Sequence, residues 1–324
     1  MDQLQAVCVL LLLRWTLSHC TQTGTVAPVA TLLGLPPVKA YIPFALISLF
    51  ASVAEAGGPA PYPARVEDWV TASMPARADR AEYAVWSYAS NYSEYEWRVS
   101  AREGVVTAQL APRARDESSL GLPFTPTTER FAGASSAIHV PDGWLVAFNH
   151  GEFGAALYWF NEKGEQNYKV SDNQVVAFAQ LPDRLLAVEG LAHMTMSRGS
   201  IIRIERSKDQ NRWTARTVVQ LPFAPYAAVV QHDGRIVIVL SDALVRATAN
   251  GELQTLLSDV PWTQLYPNSA AMGQDETRVY VGMRQYVAEV DLTTRKLRML
   301  VPSAAFLNTL PKDQEQRIRK QSGG

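Results

Sequence analysis

The chain has 324 residues, 47% hydrophobic and 19% charged, with 30 Lys and Arg against 31 Asp and Glu for a formal charge of −1. That composition excludes a disordered or collagen-like chain, and near-neutrality supplies no basic surface for a phosphate backbone, so no nucleic-acid partner is expected. The only cysteines, Cys8 and Cys20, sit near the N-terminus, which leaves the body of the chain without a disulfide framework or a thiolate metal site.

Two apolar stretches precede residue 57. The first, Ala6 to Leu13, follows Asp2 with no early basic residue and makes a poor export signal. The second starts at Val38 with one basic residue, Lys39, continues as an apolar run and ends in Ala54-Glu55-Ala56, whose small residues fit a signal-peptidase cut after Ala56. Neither run reaches the roughly 18 to 20 residues of a bilayer-crossing helix, so no transmembrane span is expected in the mature chain. The bias of 23 Arg over 7 Lys and the abundance of Ala suit a GC-rich bacterial genome. Residues 1–37 are therefore expected to be an extension ahead of a true start at Val38, with 38–56 the signal peptide. The mature chain, 57–324, then holds 268 residues, 28 basic and 29 acidic, and no cysteine. A cysteine-free exported chain avoids mispairing, which points to the periplasm or the extracellular space.

Residues 57–130 read as a Pro-rich leader followed by a divergent N-terminal β segment. Tyr83 to Tyr88, Tyr95 to Ala101 and Val105 to Leu110 are its expected strands, and Asn91-Tyr92-Ser93 matches a glycosylation sequon without consequence in a bacterium. A polar, Pro-containing stretch, Pro112 to Arg130, leads into a repeat that covers residues 131–302. Each unit has an apolar strand, a turn containing Asp, a second strongly apolar strand, then a third and a fourth. The turns fall at Asp142-Gly143, Asp183, Asp233-Gly234 and Asp275, so the aspartates are 41, 50 and 42 residues apart. Asp-Gly between β-rich runs is a hairpin signal, because tight primed turns need a left-handed backbone. Third strands are expected at Ala155 to Phe160, Ser200 to Glu205, Ala243 to Thr248 and Tyr286 to Asp291, and fourth strands at Leu253 to Leu257 and Lys296 to Val301. The spacing is that of a four-stranded propeller blade. Residues 303–324 read as a polar, solvated tail.

On this repeat the chain resembles the bacterial secreted β-propeller superfamily, gluconolactonase-like and YVTN-type in the broad sense. The resemblance implies an all-β propeller of four-stranded antiparallel blades, with five blades the best fit in a range of four to six. It further implies that the loop after each second strand and the link into the next blade open on one functional face. That face would carry His150 and Glu152, Glu189 and His193, Asp242, Arg284, and the link residues Tyr226, Trp262, Tyr266 and Asn268.

Two chemistries follow from that set. His150, Glu152, Glu189 and His193 form a candidate N,O site for a divalent metal, with Glu152 and Glu189 as candidate catalytic carboxylates. The aromatic rings Tyr226, Trp262 and Tyr266, with Asn268, Asp242 and Arg284, offer flat, rigid surfaces for a small molecule, a glycan or a protein. No Gly-x-Ser-x-Gly elbow, phosphate loop or cysteine nucleophile is present in the mature chain. The leading expectation is a monomeric exported binding module that holds its ligand or partner at the channel mouth. The alternatives are a propeller hydrolase or lactonase, metal-dependent or not, and a periplasmic inhibitor or immunity protein.

Overall fold

The segment Ile236–Leu240 is buried at every residue. Its side chains alternate between two clusters: Ile236, Ile238 and Leu240 pack with Leu186, Val188 and Ile201, while Val237 and Val239 pack with Val279, Val281 and Ala288. A strand that is apolar throughout is what a sheet covered on both faces demands, with period-two alternation deciding which side chain goes to which neighbour. The same logic builds the whole molecule. The structure is a computed structural model that describes residues 64–76, 78–89, 93–113, 120–194, 196–308, 310 and 312–321. The expected signal segment, the extension before it, Cys8, Cys20, leader residues 57–63 and Asn91 of the sequon lie outside the described residues.

In chain order the elements are β1 (Ala64–Arg65), β2 (Val70–Thr71), α1 (Arg80–Ala89), β3 (Tyr95–Arg102), β4 (Val105–Pro112), β5 (Ser136–Val140), β6 (Gly143–Asn149), β7 (Ala155–Phe160) and β8 (Asn167–Ser171). They continue with β9 (Val175–Gln180), β10 (Leu185–His193), β11 (Met196–Arg206), β12 (Trp213–Leu221), β13 (Pro225–Val230), β14 (Ile236–Leu240), β15 (Ala243–Ala247) and β16 (Leu253–Ser258). The chain closes with β17 (Ser269–Met272), β18 (Arg278–Gly282), β19 (Val287–Asp291), β20 (Leu297–Val301), α2 (Ala304–Leu307) and α3 (Lys312–Gln321).

Among the described residues the strands form five sheets: β5 to β8, β9 to β12 and β13 to β16 as four-stranded blades, β17 to β20 with β2 added outside β20, and a three-stranded sheet ordered β1-β4-β3. All pairings are antiparallel, so each blade is a meander. The first strands adjoin one another in turn, β5 beside β9, β9 beside β13, β13 beside β17 and β17 beside β3. This is a β-propeller of five sheets, the architecture the repeat implies.

Between adjacent sheets lies apolar packing. Leu145, Ala147 and Leu157 meet Leu185, Ala187, Ile202 and Ile204 between the first two blades. Ala271, Tyr280, Val287 and Leu300 meet Trp97, Val99, Val106 and Ala108 between the last blade and the N-terminal sheet. The outward face of the first blade, Val146, Phe148, Ala156 and Phe160, is covered by the preceding link through Phe131 and Ala134.

Two expectations are corrected. Tyr83 to Tyr88 is part of helix α1 and no strand. Asp79 caps it, its Oδ1 accepting from the Glu82 N–H at 3.1 Å, and Asp79-x-x-Glu82 is the spacing of a capping box. Tyr83 and Trp86, three apart, turn to the body of the protein, where Trp86 Nε1 donates to the Tyr286 hydroxyl at 2.8 Å. The C-terminal stretch is helical instead of an open solvated tail: Ile318 of α3 is fully buried in the cluster with Val66, Trp69 and Trp97. One apolar residue in a polar helix suffices to anchor it, because the helical period presents that residue to the sheet. Among the described residues no helix is long and apolar enough to cross a membrane.

Candidate functional site at the propeller loop face

In a meander the loop between second and third strands and the link to the next blade emerge at the same end. The blade order therefore brings His150–Gly154, the β10–β11 turn, Ser241–Asp242 and Met283–Tyr286 to one face, together with the links that precede β9, β13 and β17. Hydrogen bonds among these segments bear this out. Ser241 Oγ is 3.2 Å from Ser197 Oγ, and the Arg284 backbone N–H donates to the Leu265 carbonyl at 2.9 Å.

Tyr226, Asp242, Tyr266 and Arg284 form one electrostatic group. The Arg284 guanidinium lies over the Tyr266 ring at 3.6 Å, and Tyr266 itself holds a left-handed backbone, φ 54°, at the end of the short helical turn Thr263–Leu265. Burial, then the repulsion of Arg113, holds the Arg284 guanidinium below its ordinary pKa. Burial, followed by the neighbouring Tyr266 and Asp242, pushes the Tyr226 phenol up to about 12, against the opposing pull of Arg284. Tyr226 is thus a neutral hydroxyl across the physiological range, able to donate and accept. Asp242 is oriented by the Ser241 hydroxyl, which donates at 2.7 Å, while the nearby Thr263 hydroxyl donates to the Ser241 carbonyl at 2.6 Å. The result is a planar cation stacked on an aromatic ring, beside a phenol and a fixed carboxylate.

One residue expected at the mouth is elsewhere. Trp262 is fully buried between the third and fourth blades, its Nε1 donating to the Leu240 carbonyl at 2.9 Å. A large ring with one satisfied N–H fills an inter-blade wedge better than any aliphatic residue of the link, so it presents no face to a ligand. Asn268 stays in the link on this face, where its backbone N–H donates to the Gly282 carbonyl at 2.9 Å, its Oδ1 accepts from the Ser269 hydroxyl at 2.8 Å and its Nδ2 has no hydrogen-bond partner among the described residues.

The proposed metal quartet does not assemble. His193 Nδ1 and Glu152 Oε2 do meet, at 3.4 Å. His150, by contrast, points its Nε2 to the Gly133 carbonyl at 3.3 Å and lies edge-on to Phe131. Glu189 is buried and accepts from the Ser200 hydroxyl at 2.5 Å and from the Gln174 backbone N–H at 3.4 Å, with Arg198 Nη1 at 3.8 Å. Its carboxylate ties the entry of β9 to β10 and β11, and that is why it is inside the blade. Among the described residues no group of three or more His, Cys, Asp or Glu is placed to hold a metal ion.

The sequence alone did not flag Gln174, whose buried side chain donates to the Gly151 carbonyl at 2.7 Å and accepts from Arg198 at 2.9 Å, linking the first two blades on this face. Glutamine carries no chemical signature at such a position; only the register of the link exposes its role. The β10–β11 ribbon corrects the sequence reading, which placed Glu189 to His193 in a loop: those residues continue β10 and pair with β11 as far as His193 opposite Met196, because the cross-strand ladder runs on past the end of β9.

No protein-family profile matches the chain, and no curated protein matches it in sequence. Solved structures similar to it include a streptogramin B lyase, with 18% identity over 56% of this chain and 58% of that one and a TM-score of 0.39. A virginiamycin B lyase from Staphylococcus aureus is similar at 12% identity over 66% of this chain and 73% of that one, with a TM-score of 0.38. A gluconolactonase from Xanthomonas campestris is similar at 14% identity over 54% of this chain and 60% of that one, with a TM-score of 0.36. The chain thus spans less than two thirds of the length of the first and third of these. The description of this chain as a propeller rests on its own sheet order and register.

Proposed function

We propose that the protein is an exported binding module that takes a small polyhydroxylated ligand of the glycan class at the propeller loop face, in the periplasm or the extracellular space. The observation that carries this reading is the Arg284 guanidinium lying 3.6 Å over the Tyr266 ring beside Tyr226 and Asp242. The exposed Tyr266 ring, backed by the buried Arg284 guanidinium, offers a flat surface that stacks on a sugar ring at low entropic cost, and a neutral phenol with an oriented carboxylate satisfies hydroxyl groups as donor and acceptor. Export is supported by the Lys39-led apolar run ending at Ala56 and by the absence of cysteine after it. The metal-dependent hydrolase alternative drew on four residues that do not meet at one point.

The test is a soluble mono- and oligosaccharide panel screened by thermal shift, with hits measured by calorimetry on wild type, Tyr266→Ala and Arg284→Leu. Each substitution is expected to weaken a hit at least about tenfold, the loss of one stacking partner worth about 1.4 kcal/mol. A panel without hits, or hits indifferent to both substitutions, overturns the reading.

A further inference from the structure

Strands β10 and β11 pair over nine positions, from Leu185 opposite Ile204 to His193 opposite Met196. Strand β9 accompanies β10 only to Glu189, and β12 accompanies β11 only from Gly199. Beyond those points the two strands run on as a ribbon for about 10 Å, at ~3.4 Å per residue. The ribbon is anchored. Ser197 Oγ accepts from the Ala224 N–H at 2.9 Å and lies 3.2 Å from Ser241 Oγ. Gly190 and Gly199 face each other across the ribbon, and a Cβ on either would come 2.5 Å from Pro225 Cδ, so both must be glycine for the ribbon to lie against that link.

The ribbon ends in His193-Met194-Thr195-Met196, and this tip breaks two ordinary rules at once. Met194 holds φ 50°, a left-handed conformation that favours Gly or Asn and costs another residue about 1 kcal/mol or more. Met194 is also 92% exposed and Met196 49% exposed, whereas Met272, Met283 and Met299 are buried as methionines usually are. Departures from turn chemistry and from burial that coincide on a firmly anchored tip are a functional signal.

His193 and Met196 are the closing cross-strand pair of the ribbon, so their side chains leave the same face with Cβ atoms about 4.5–5.5 Å apart. Met194 follows in the turn. Behind the imidazole, Glu152 Oε2 stands 3.4 Å from Nδ1, which leaves Nε2 as the ring nitrogen that faces no carboxylate and can serve as a ligand. Two thioethers and one imidazole are soft to borderline donors. They suit Cu(I) far better than Zn²⁺, Ca²⁺ or Mg²⁺, which call for carboxylates, thiolates or several imidazoles.

We propose that the tip of the β10–β11 ribbon is a binding site for Cu(I), ligated by Nε2 of His193 and the Sδ atoms of Met194 and Met196, with Glu152 as a positioning residue for the imidazole. The site is separate from the Tyr226–Arg284 group and does not rest on the glycan reading.

The full chain is titrated anaerobically with Cu(I) held by bicinchoninate. One equivalent is expected to transfer to the protein, and Met194→Leu, Met196→Leu and His193→Ala are each expected to lower the affinity at least tenfold, while Met74→Leu leaves it unchanged. Glu152→Gln, which retains an acceptor, is expected to keep more affinity than Glu152→Ala. With the wild-type protein labelled at methionine methyl carbons, one equivalent of Ag⁺ is expected to shift the Met194 and Met196 resonances and leave those of Met272, Met283 and Met299 in place, a readout that needs no variant. Failure to draw Cu(I) from the chelator overturns the proposal. So does full retention of binding by the double Met194→Leu, Met196→Leu variant, or Zn²⁺ binding of equal strength that ignores both substitutions.

Discussion

Tyr226 shows how a single side chain takes its properties from where its strand begins. It stands at the second residue of β13, the first strand of its blade, and burial with Tyr266 and Asp242 nearby raises its phenol to about 12. Tyr280, buried in the last blade beside Glu289, is raised to about 12 in the same way, burial again coming first. A tyrosine in the unfolded chain ionises near pH 10, so the folded state retains more protons than the unfolded state between about pH 10 and about pH 12. Stability contributed by these two burials is complete below pH 10 and falls as the pH rises through that window. Absorbance titration of phenolate is expected to show Tyr226 and Tyr280 ionising at about pH 12, with Tyr286 also raised by its burial. Tyr226→Phe and Tyr280→Phe are each expected to remove one of them and to flatten the fall in stability over that range. At this scale the sequence located Tyr226, Asp242, Tyr266 and Arg284 through their places in the repeat. It misplaced Trp262, because a tryptophan in a link has the same composition signal whether it faces solvent or wedges between blades; only the packing of Val239 and Val281 around it decides.

The blade strands were the most legible elements, since alternation over five or six apolar residues leaves one reading of each face. Helix α1 was not legible from its aromatic residues, Tyr83, Trp86 and Tyr88, which suit strands as well; the Asp79-x-x-Glu82 cap was the better evidence. The β10–β11 ribbon is the element that depends most on small side chains. Gly199→Ala places a methyl group 2.5 Å from Pro225 Cδ and 3.1 Å from the Phe223 carbonyl oxygen, contacts that backbone and a rigid ring cannot relieve cheaply. The expected cost is about 1–3 kcal/mol of stability, read as a lower denaturant midpoint at unchanged slope. Faster amide exchange at Leu191 and Ser197 would show that the ribbon has lifted. Exchange unchanged at those amides would mean that the ribbon is not held by this contact.

For the whole molecule, the residues before the repeat do the joining. Strand β1 pairs with β4 of the N-terminal sheet and β2 pairs with β20 of the last blade, so one segment of eight residues, 64–71, spans two sheets. Val66 and Trp69, between the two short strands, are buried with Trp97, Leu300 and Ile318, and the Trp69 and Trp97 rings meet edge to face at 4.7 Å. Trp69→Ala is expected to cost about 3–5 kcal/mol, the range for emptying a buried aromatic site. Because the segment leading into β2 shares that cluster with β20 and α3, the loss is expected to appear as earlier proteolysis at both ends of the propeller before the central blades yield. Equal resistance of both ends in wild type and variant would show that the segment does not join them.

The sequence by itself determined the repeat, the strand positions within it and the face on which loops and links converge, because those follow from period-two alternation and the spacing of turn residues, which are local. Only the tertiary structure decided that Trp262 is buried between blades while Tyr266 is exposed, how the N-terminal strands bind the last blade to the N-terminal sheet, and that Glu189 and His150 turn away from Glu152 and His193. Those outcomes depend on contacts between residues far apart in the chain, where burial and hydrogen-bond satisfaction choose among side chains of the same chemical type.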